Sequence, residues 1–102
     1  MRIIKIGPLK SFWEDRFPDA ENALKAWIAD TERATWQNSN ELRTQYANAD
    51  PIGNNRVVFN IRGNNYRLIV AISYRAQIVL VKFIGTHEEY DAIDVLNVEV
   101  NH

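Results

Sequence analysis

The stretch from Arg56 to Asp91 reads RVVFNIRGNNYRLIVAISYRAQIVLVKFIGTHEEYD and decides the fold. It contains three apolar runs separated by short turn signals, a pattern typical of consecutive antiparallel strands. Between Pro51 and Gly85 there are five Arg or Lys side chains and no Asp or Glu. We therefore predict a sheet meander with one basic face, and a helical layer from the rest of the chain on the other face.

The first turn determines how the first two strands pair. Gly63-Asn64 is a two-residue connection of the Gly-X kind, which favours a type II′ hairpin. Because side chains alternate between the faces of a strand, this register sorts apolar and polar residues onto opposite faces. The predicted pairs are Arg62 with Asn65, Asn60 with Arg67, Phe59 with Leu68, and Val57 with Val70.

A second turn, at Arg75-Ala76, is expected to continue the meander. It would bring apolar side chains opposite one another on the core face, namely Ile72 with Val79, Val70 with Val81, and Leu68 with Phe83. The same register puts Lys82 opposite Ile69, on the face of Arg67. Alternation therefore predicts that Asn60, Arg67 and Lys82 lie on one side of the sheet.

The segment after the sheet carries the residues best suited to chemistry. Thr86-x-x-Glu89 matches a capping box and predicts that a helix starts there. In such a helix His87, Tyr90 and Asp91 share one side, because residues three and four apart are neighbours. The N–H groups of its first turn favour phosphate. These side chains, beside Arg and Lys, suit acid–base work on a phosphodiester.

The remaining composition is that of an ordinary globular chain. With 102 residues and 46% apolar residues, we expect one domain over residues 1–102. The net charge of −1 gives no overall attraction to nucleic acid. The chain has no Cys, which excludes disulfides and thiol chemistry and agrees with a reducing compartment. We see no signal peptide and no membrane-length apolar run, so we expect a cytoplasmic protein.

The first half of the sequence reads as a strand followed by helices. Arg2–Ile6 is a predicted strand, and Pro8 suits the start of a helix. Asp19 and Asn38 are predicted to be N-caps of two further helices. Residues 47–55 are predicted to be irregular. The predicted order β-α-α-(α)-β-β-β-α is an α+β arrangement.

Two segments resemble the HigB-type toxins of bacterial toxin–antitoxin systems, which belong to the RelE superfamily of endoribonucleases. They are Val57–Val70, with its FNI-x-GN-x-YRL pattern, and Lys82–Asp91, with FIGTH-x-EYD. The resemblance runs from Arg2 to about Val95. It implies a RelE-like fold, with an N-terminal strand and helices packed on one face of a mostly antiparallel sheet, and a short C-terminal helix.

The resemblance also implies a function. Such toxins are mRNA interferases that cleave messenger RNA, usually on the translating ribosome, and thereby inhibit translation. They typically need no metal or other cofactor, and a small HigA-like helix-turn-helix antitoxin neutralises them. Carried over by motif, Arg67 and Lys82 would bind the phosphate and transition state. The acid–base and orienting groups would be His87, Tyr90 and Asp91. The residues expected to contact RNA are Arg56, Asn60, Arg62 and Arg75.

Each of these residues also has a structural interpretation. His87 could cap and pack the last helix, and with Asp91 it offers only two metal ligands, which is a weak metal signal. Arg56, Arg62 and Arg75 could be solvated strand charges, and Asn60 could form a cross-strand pair with Arg67. The alternative function is a non-catalytic RNA- or protein-binding module on the same scaffold.

Overall fold

The computed structural model describes residues 1–100, which form a five-stranded sheet covered by helices. The predicted α+β class is confirmed. None of the helices in this part of the chain is both long and apolar enough to cross a membrane. The elements in chain order are β1 (Arg2–Ile4), α1 (Gly7–Ser11), α2 (Glu21–Arg33), α3 (Ser39–Gln45), β2 (Asp50–Ile52), β3 (Arg56–Ile61), β4 (Tyr66–Ser73), β5 (Ile78–Thr86) and α4 (His87–Asp91).

The strands are arranged in the order β1-β5-β4-β3-β2, and only β1 runs parallel to its neighbour β5. Strand β2 lies within residues 47–55, so the prediction that this stretch is irregular is wrong for Asp50–Ile52. Pro51 sits in this strand, which is at the edge of the sheet, where the missing N–H costs no ladder hydrogen bond. An edge strand of three residues gives almost no alternation to detect.

The helical layer packs on one face of the sheet through large aromatic side chains. Trp27 of α2 meets Phe59 of β3 with ring centroids 5.4 Å apart, and Tyr46 meets the same ring at 5.3 Å. Between α1 and α2 the chain forms a π-helical turn (Phe12–Arg16) and a 3-10 turn (Pro18–Ala20). Asp19 does not cap α2 as predicted, because its carboxylate accepts a hydrogen bond from the Tyr66 hydroxyl at 2.5 Å.

The predicted register of the first hairpin agrees with the structure. Asn60 pairs with Arg67, and Phe59 pairs with Leu68. The Asn65 N–H donates to the Arg62 carbonyl at 3.3 Å, which closes the turn around Gly63. Gly63 has a φ of +64°, a conformation that glycine adopts without steric cost.

The predicted register of the second hairpin is correct only up to Val81. Ile72 faces Val79 and Val70 faces Val81 as expected, but a β-bulge between Ile69 and Val70 shifts the pairing beyond that point. Ile69 therefore pairs with Phe83 and not with Lys82, and Leu68 pairs with Ile84 and not with Phe83. Lys82 is the extra residue of the bulge, and such a residue is left outside the regular pairing.

The sheet face opposite the helices is not open along its whole length. Val58 and Ile69 point to this second face, because their neighbours Phe59 and Leu68 belong to the helix-covered core, yet both are buried. The chain after α4 crosses this region, and Arg56 hydrogen-bonds to the carbonyls of Val95 and Val98. The prediction of a basic face that is partly open must therefore be corrected at the Arg56 end, which is covered.

Candidate nucleic-acid site

One end of the sheet gathers five of the residues singled out from the sequence. Arg67 pairs with Asn60 on β3 and with Gly85 on β5, close to the point where β5 ends at Thr86. Helix α4 starts at the next residue, so its side chains lie at the same end of the sheet. The five residues brought to this end are Asn60, Arg67, His87, Tyr90 and Asp91.

The start of α4 is fixed by the predicted capping box. The Thr86 hydroxyl accepts a hydrogen bond from the Glu89 N–H at 3.1 Å, and the Glu89 carboxylate accepts one from the Thr86 N–H at 2.9 Å. The Glu89 carboxylate also pairs with the Arg16 guanidinium at 2.8 Å. Because Arg16 belongs to the π-helical turn, this pair attaches α4 to the helical layer.

The electrostatics of Glu89 follow from these contacts. Partial burial acts to raise the pKa of its carboxyl group, but the hydrogen bonds from Thr86 and the charge of Arg16 outweigh burial. The net result is a pKa below the usual range. Glu89 therefore stays ionised and serves the structure of α4, whereas His87 and Asp91 are exposed and take no part in these contacts.

His87 and Asp91 form a direct contact along α4. The His87 Nδ1 lies 3.1 Å from the Asp91 Oδ2, and the two side chains are 52% and 62% exposed. A carboxylate on one ring nitrogen fixes the orientation of an imidazole and leaves the other nitrogen for substrate. His87 also borders a cleft of about 320 Å³ between α4 and the turn at Asn64-Asn65.

Arg67 is held between the first hairpin turn and α4. Its Nη1 donates to the Asn64 carbonyl at 3.0 Å, and its guanidinium carbon lies 5.9 Å from the centroid of the Tyr90 ring. The side chain is half-buried. Asn60, directly across the strand, is exposed. Arg67 is therefore oriented by contacts on two sides while it keeps donors available to a ligand.

Arg56 and Lys82, which were also predicted to bind RNA, form a separate group under the C-terminal segment. The side chain of Arg56 is only 3% exposed, and the Glu99 carboxylate lies 3.2 Å from its Nη2. The same carboxylate lies 2.8 Å from the Lys82 Nζ. Arg56 is therefore not a solvated strand charge. In this conformation it is also not accessible to RNA, and Lys82 is paired.

The last two predicted residues lie in turns and not in strands. Arg62 is in the first hairpin turn, with its Nη1 3.3 Å from the Asp19 carboxylate. Arg75 is exposed in the turn that joins β4 to β5. That turn is at the far end of both strands from α4, about 23 Å away at a rise of ~3.3 Å per residue. Arg62 is near the α4 end, whereas Arg75 is not part of the cluster.

The C-terminal segment after α4 and its acidic residue Glu99 were not predicted to contact the sheet. The signal was present, because residues 86–102 hold five acids and residues 51–85 hold none. The segment has no regular secondary structure, so no periodicity marked it as part of the sheet's cover. Arg16 was also missed as a contact of α4. Within residues 1–100 no group of three or more His, Cys, Asp or Glu side chains could hold a metal ion.

A comparison with protein families decides the identity. The family described as HigB_toxin, the RelE-like toxic component of a toxin–antitoxin system, matches residues 20–93, well over half of the chain. The chain belongs to the HigB toxin family. The match confirms the predicted resemblance and makes this chain a RelE-like toxin that has an antitoxin partner. The comparison with curated proteins gives no match.

The matched residues cover the first hairpin, β5 and α4, which carry the cluster of this HigB-type toxin. The C-terminal segment after Ile93 lies outside the match, although it pairs with Arg56 and Lys82. The cluster at the α4 end is therefore built from residues within the family match. The cover of the second face comes from residues beyond it.

Proposed function

We propose that this HigB-type toxin is an endoribonuclease that cleaves messenger RNA on the translating ribosome. The observation that carries the proposal is the meeting of Arg67 with Tyr90 and of His87 with Asp91 at one end of the sheet. A guanidinium stabilises the charge that builds on a phosphate, and an imidazole moves protons near neutral pH. These are the two needs of RNA cleavage.

The proposed reaction uses a nucleophile that belongs to the substrate. The RNA 2′-hydroxyl oxygen attacks the adjacent phosphorus, and the bond from phosphorus to the 5′-oxygen of the next nucleotide breaks. The products are a cyclic phosphate and a 5′-hydroxyl. One proton leaves the 2′-hydroxyl and one joins the 5′-oxygen, so the step needs a proton acceptor and a donor, and no metal.

The roles of the residues follow from their contacts. His87 takes or gives one of the two protons through Nε2, because its Nδ1 faces Asp91. Tyr90, one turn along α4, is the second proton donor or orients the phosphate. Arg67 binds the phosphate beside Tyr90. Lys82, three positions before Gly85 on β5, binds a phosphate farther along the RNA backbone.

We further propose a HigA-like helix-turn-helix antitoxin as the partner of the toxin. The region from Pro51 to Gly85 carries five basic and no acidic side chains, so an acidic segment of the partner would complement it. Contact with the helical cover is the other arrangement that would neutralise the toxin.

The alternative is a non-catalytic RNA- or protein-binding module. The exposure of His87, 52%, favours this alternative, because proton transfer and charge stabilisation gain strength in sites that exclude water. A binding module would keep its activity without His87 or Tyr90, provided that the basic side chains stay. A nuclease would not.

The test is cleavage of a defined mRNA on programmed ribosomes by the purified parent and by the His87→Gln and Tyr90→Phe variants. Arg43→Ala, a change at an exposed position of α3 that is not part of the cluster, is the matched control for handling and folding. We expect the parent to leave 5′-hydroxyl and cyclic phosphate ends, and each variant to lose at least tenfold in rate. Parent-like cleavage by a folded His87→Gln protein would show that His87 is not the proton carrier.

A further inference from the structure

The C-terminal segment, residues 94–100, lies over a part of the sheet that carries two cations. Arg56 Nη1 donates to the Val95 and Val98 carbonyls at 3.1 and 2.8 Å, and the Asn54 side chain donates to the Leu96 carbonyl at 2.9 Å. These contacts join the segment to β3 and to the turn before it. Its acidic residue Glu99 then reaches across to β5.

Glu99 is the carboxylate that Arg56 and Lys82 share. Its Oε2 lies 3.2 Å from Arg56 Nη2, and its Oε1 lies 2.8 Å from Lys82 Nζ. The hydrogen bond from Lys82 lowers the pKa of the Glu99 carboxyl group, with both cations adding to the effect, so Glu99 carries its charge. Two positive charges therefore share one negative charge.

The contacts with the C-terminal segment leave one donor of Arg56 unsatisfied. The Nε of Arg56 is buried and has no hydrogen-bond partner among the described residues. A buried guanidinium needs acceptors for its donors, since an unmade hydrogen bond to a charged group is costly. A phosphodiester carries one negative charge on two non-bridging oxygens, as a carboxylate does, so it can take the place of the Glu99 carboxylate between these two cations.

The position of the two cations relates them to the α4 end of the same face. Lys82 lies three residues before Gly85, which pairs with Arg67. At a rise of ~3.3 Å per residue, Lys82 is about 10 Å from Arg67 along the sheet. The two residues lie on one face, so a single RNA backbone could follow both.

We propose that Arg56 and Lys82 form a second phosphate-binding subsite for RNA, and that the chain's own Glu99 closes it. The inference rests on the proposed action of the toxin on RNA. In this proposal residues 94–100 compete with an RNA phosphate for Arg56 and Lys82. When the segment lifts, a backbone phosphate replaces the Glu99 carboxylate, and RNA gains a contact beyond the cluster at α4.

The segment has the features of an element that can open. It forms no regular helix or strand, and the Leu96 side chain is exposed at 41%. The Glu99 side chain is 55% exposed, so water and salt compete with its ion pairs. Burial of Val58 and Ile69 opposes opening, which makes the closed state the dominant one.

The first test compares Glu99→Gln with the parent in binding to single-stranded RNA whose 2′-hydroxyls are methylated, so that no cleavage occurs. We expect the variant to bind at least threefold more tightly. Its affinity should fall more steeply with salt, by a slope of about 0.7 for one added phosphate contact. Glu32→Gln is the matched control, because it makes the same charge change on an exposed position of α2.

The second test closes the segment covalently, and it remains informative if Glu99→Gln folds poorly. The chain has no Cys, so a Gly53→Cys/Leu96→Cys variant offers one possible disulfide. A Cβ on Gly53 would lie 3.4 Å from the Cδ2 of Leu96, so side chains at the two positions are neighbours. We expect the oxidised protein to bind RNA more weakly than the same protein after reduction.

Several outcomes overturn the proposal. Equal RNA binding in the oxidised and reduced forms, or an unchanged salt slope for a folded Glu99→Gln protein, shows that the segment does not control an RNA phosphate. Tighter binding of an acidic antitoxin peptide with no change in RNA binding assigns the subsite to a protein. These tests measure binding without cleavage. If the parent never cuts RNA but Glu99→Gln still strengthens RNA binding, the nuclease proposal fails and this proposal stands.

Discussion

The guanidinium carbon of Arg67 lies 5.9 Å from the centroid of the Tyr90 ring, and this contact joins strand β4 to helix α4. Arg67 is set by the hairpin turn, whose Asn64 carbonyl accepts its hydrogen bond at 3.0 Å. Tyr90 is set by the capping box that starts α4. The candidate site therefore depends on the relative position of two separately fixed elements.

Arg67→Ala should remove toxicity with little loss of stability. Arg67 lies on the second face outside the core cluster, so truncation removes phosphate contact more than packing. Losing one such charge-stabilising donor typically lowers a rate by roughly a hundredfold. Growth after induction and RNA cleavage should both show the loss, while thermal unfolding stays near that of the parent. A folded Arg67→Ala protein as toxic as the Arg43→Ala control would contradict the role.

Thr86→Ala should destabilise the protein by about 1 kcal/mol, which is the usual cost of removing an N-cap side chain. The Glu89 N–H loses its acceptor, and the first turn of α4 frays. A shift of ~4–8 °C in the midpoint of thermal unfolding is expected for a domain of this size. Thr86→Ser keeps the hydroxyl and is the matched control. Equal midpoints for the Ala and Ser variants would show that the cap contributes nothing.

Glu89→Gln should cost stability at neutral pH but not in acid. The folded-state pKa of Glu89 lies below its ordinary value, so the ionised carboxylate stabilises the fold above its unfolded pKa. That contribution disappears as the pH falls through the folded-state pKa. Since the side chain is 40% exposed, we expect less than ~1 kcal/mol. Denaturant titrations of parent and variant should differ at pH 7 and converge as the pH falls through the folded-state pKa of Glu89; a difference that grows on acidification would disprove the assignment.

Gly85→Ala should disturb α4, whereas Gly7→Ala should be tolerated. A Cβ on Gly85 would lie 2.5 Å from the Phe83 ring and 3.1 Å from the Glu89 carboxylate that caps α4. Nothing lies within 4 Å of the corresponding position on Gly7. We expect reduced RNA cleavage and a lower unfolding midpoint for the Gly85 variant only. Parent-like values for both variants would show that Phe83 and Glu89 can move aside for a Cβ at Gly85 without disturbing α4.

Purification of the chromosomally tagged toxin should bring down a small helix-turn-helix protein at a fixed ratio. An acidic segment of this partner should contact the region from Pro51 to Gly85, so high salt should weaken the complex. The composition of the complex by mass spectrometry is the measurement. Recovery of the toxin with no small bound protein would count strongly against a HigA-like antitoxin.

Local chemistry explains which parts of the fold were predictable. The Gly63-Asn64 turn and the apolar alternation around it were enough for the pairing of Asn60 with Arg67. The Thr86 capping box likewise predicted the start of α4. The turn and the capping box are each encoded by residues within a few positions of the hairpin or helix that they specify. The cluster at the α4 end was therefore within reach of sequence reasoning.

The parts that could not be predicted depend on long-range contacts. The bulge beside Lys82 changes the register of β5 without changing its apolar composition, so alternation could not reveal it. Asp19 accepts a hydrogen bond from Tyr66, which is 47 positions away, and does not cap α2 as predicted. The irregular segment around Glu99 reaches Arg56 from 43 positions away. None of these partners can be identified from local pattern alone.

The parallel pairing of β1 with β5 sets the order in which the molecule can be completed during synthesis. Arg2 pairs with Ile78, so β1 must wait for β5, the last strand of the described residues. Contacts so distant in sequence form late, because the intervening chain must first be ordered. A nascent chain therefore emerges with an unpaired first strand and without α4.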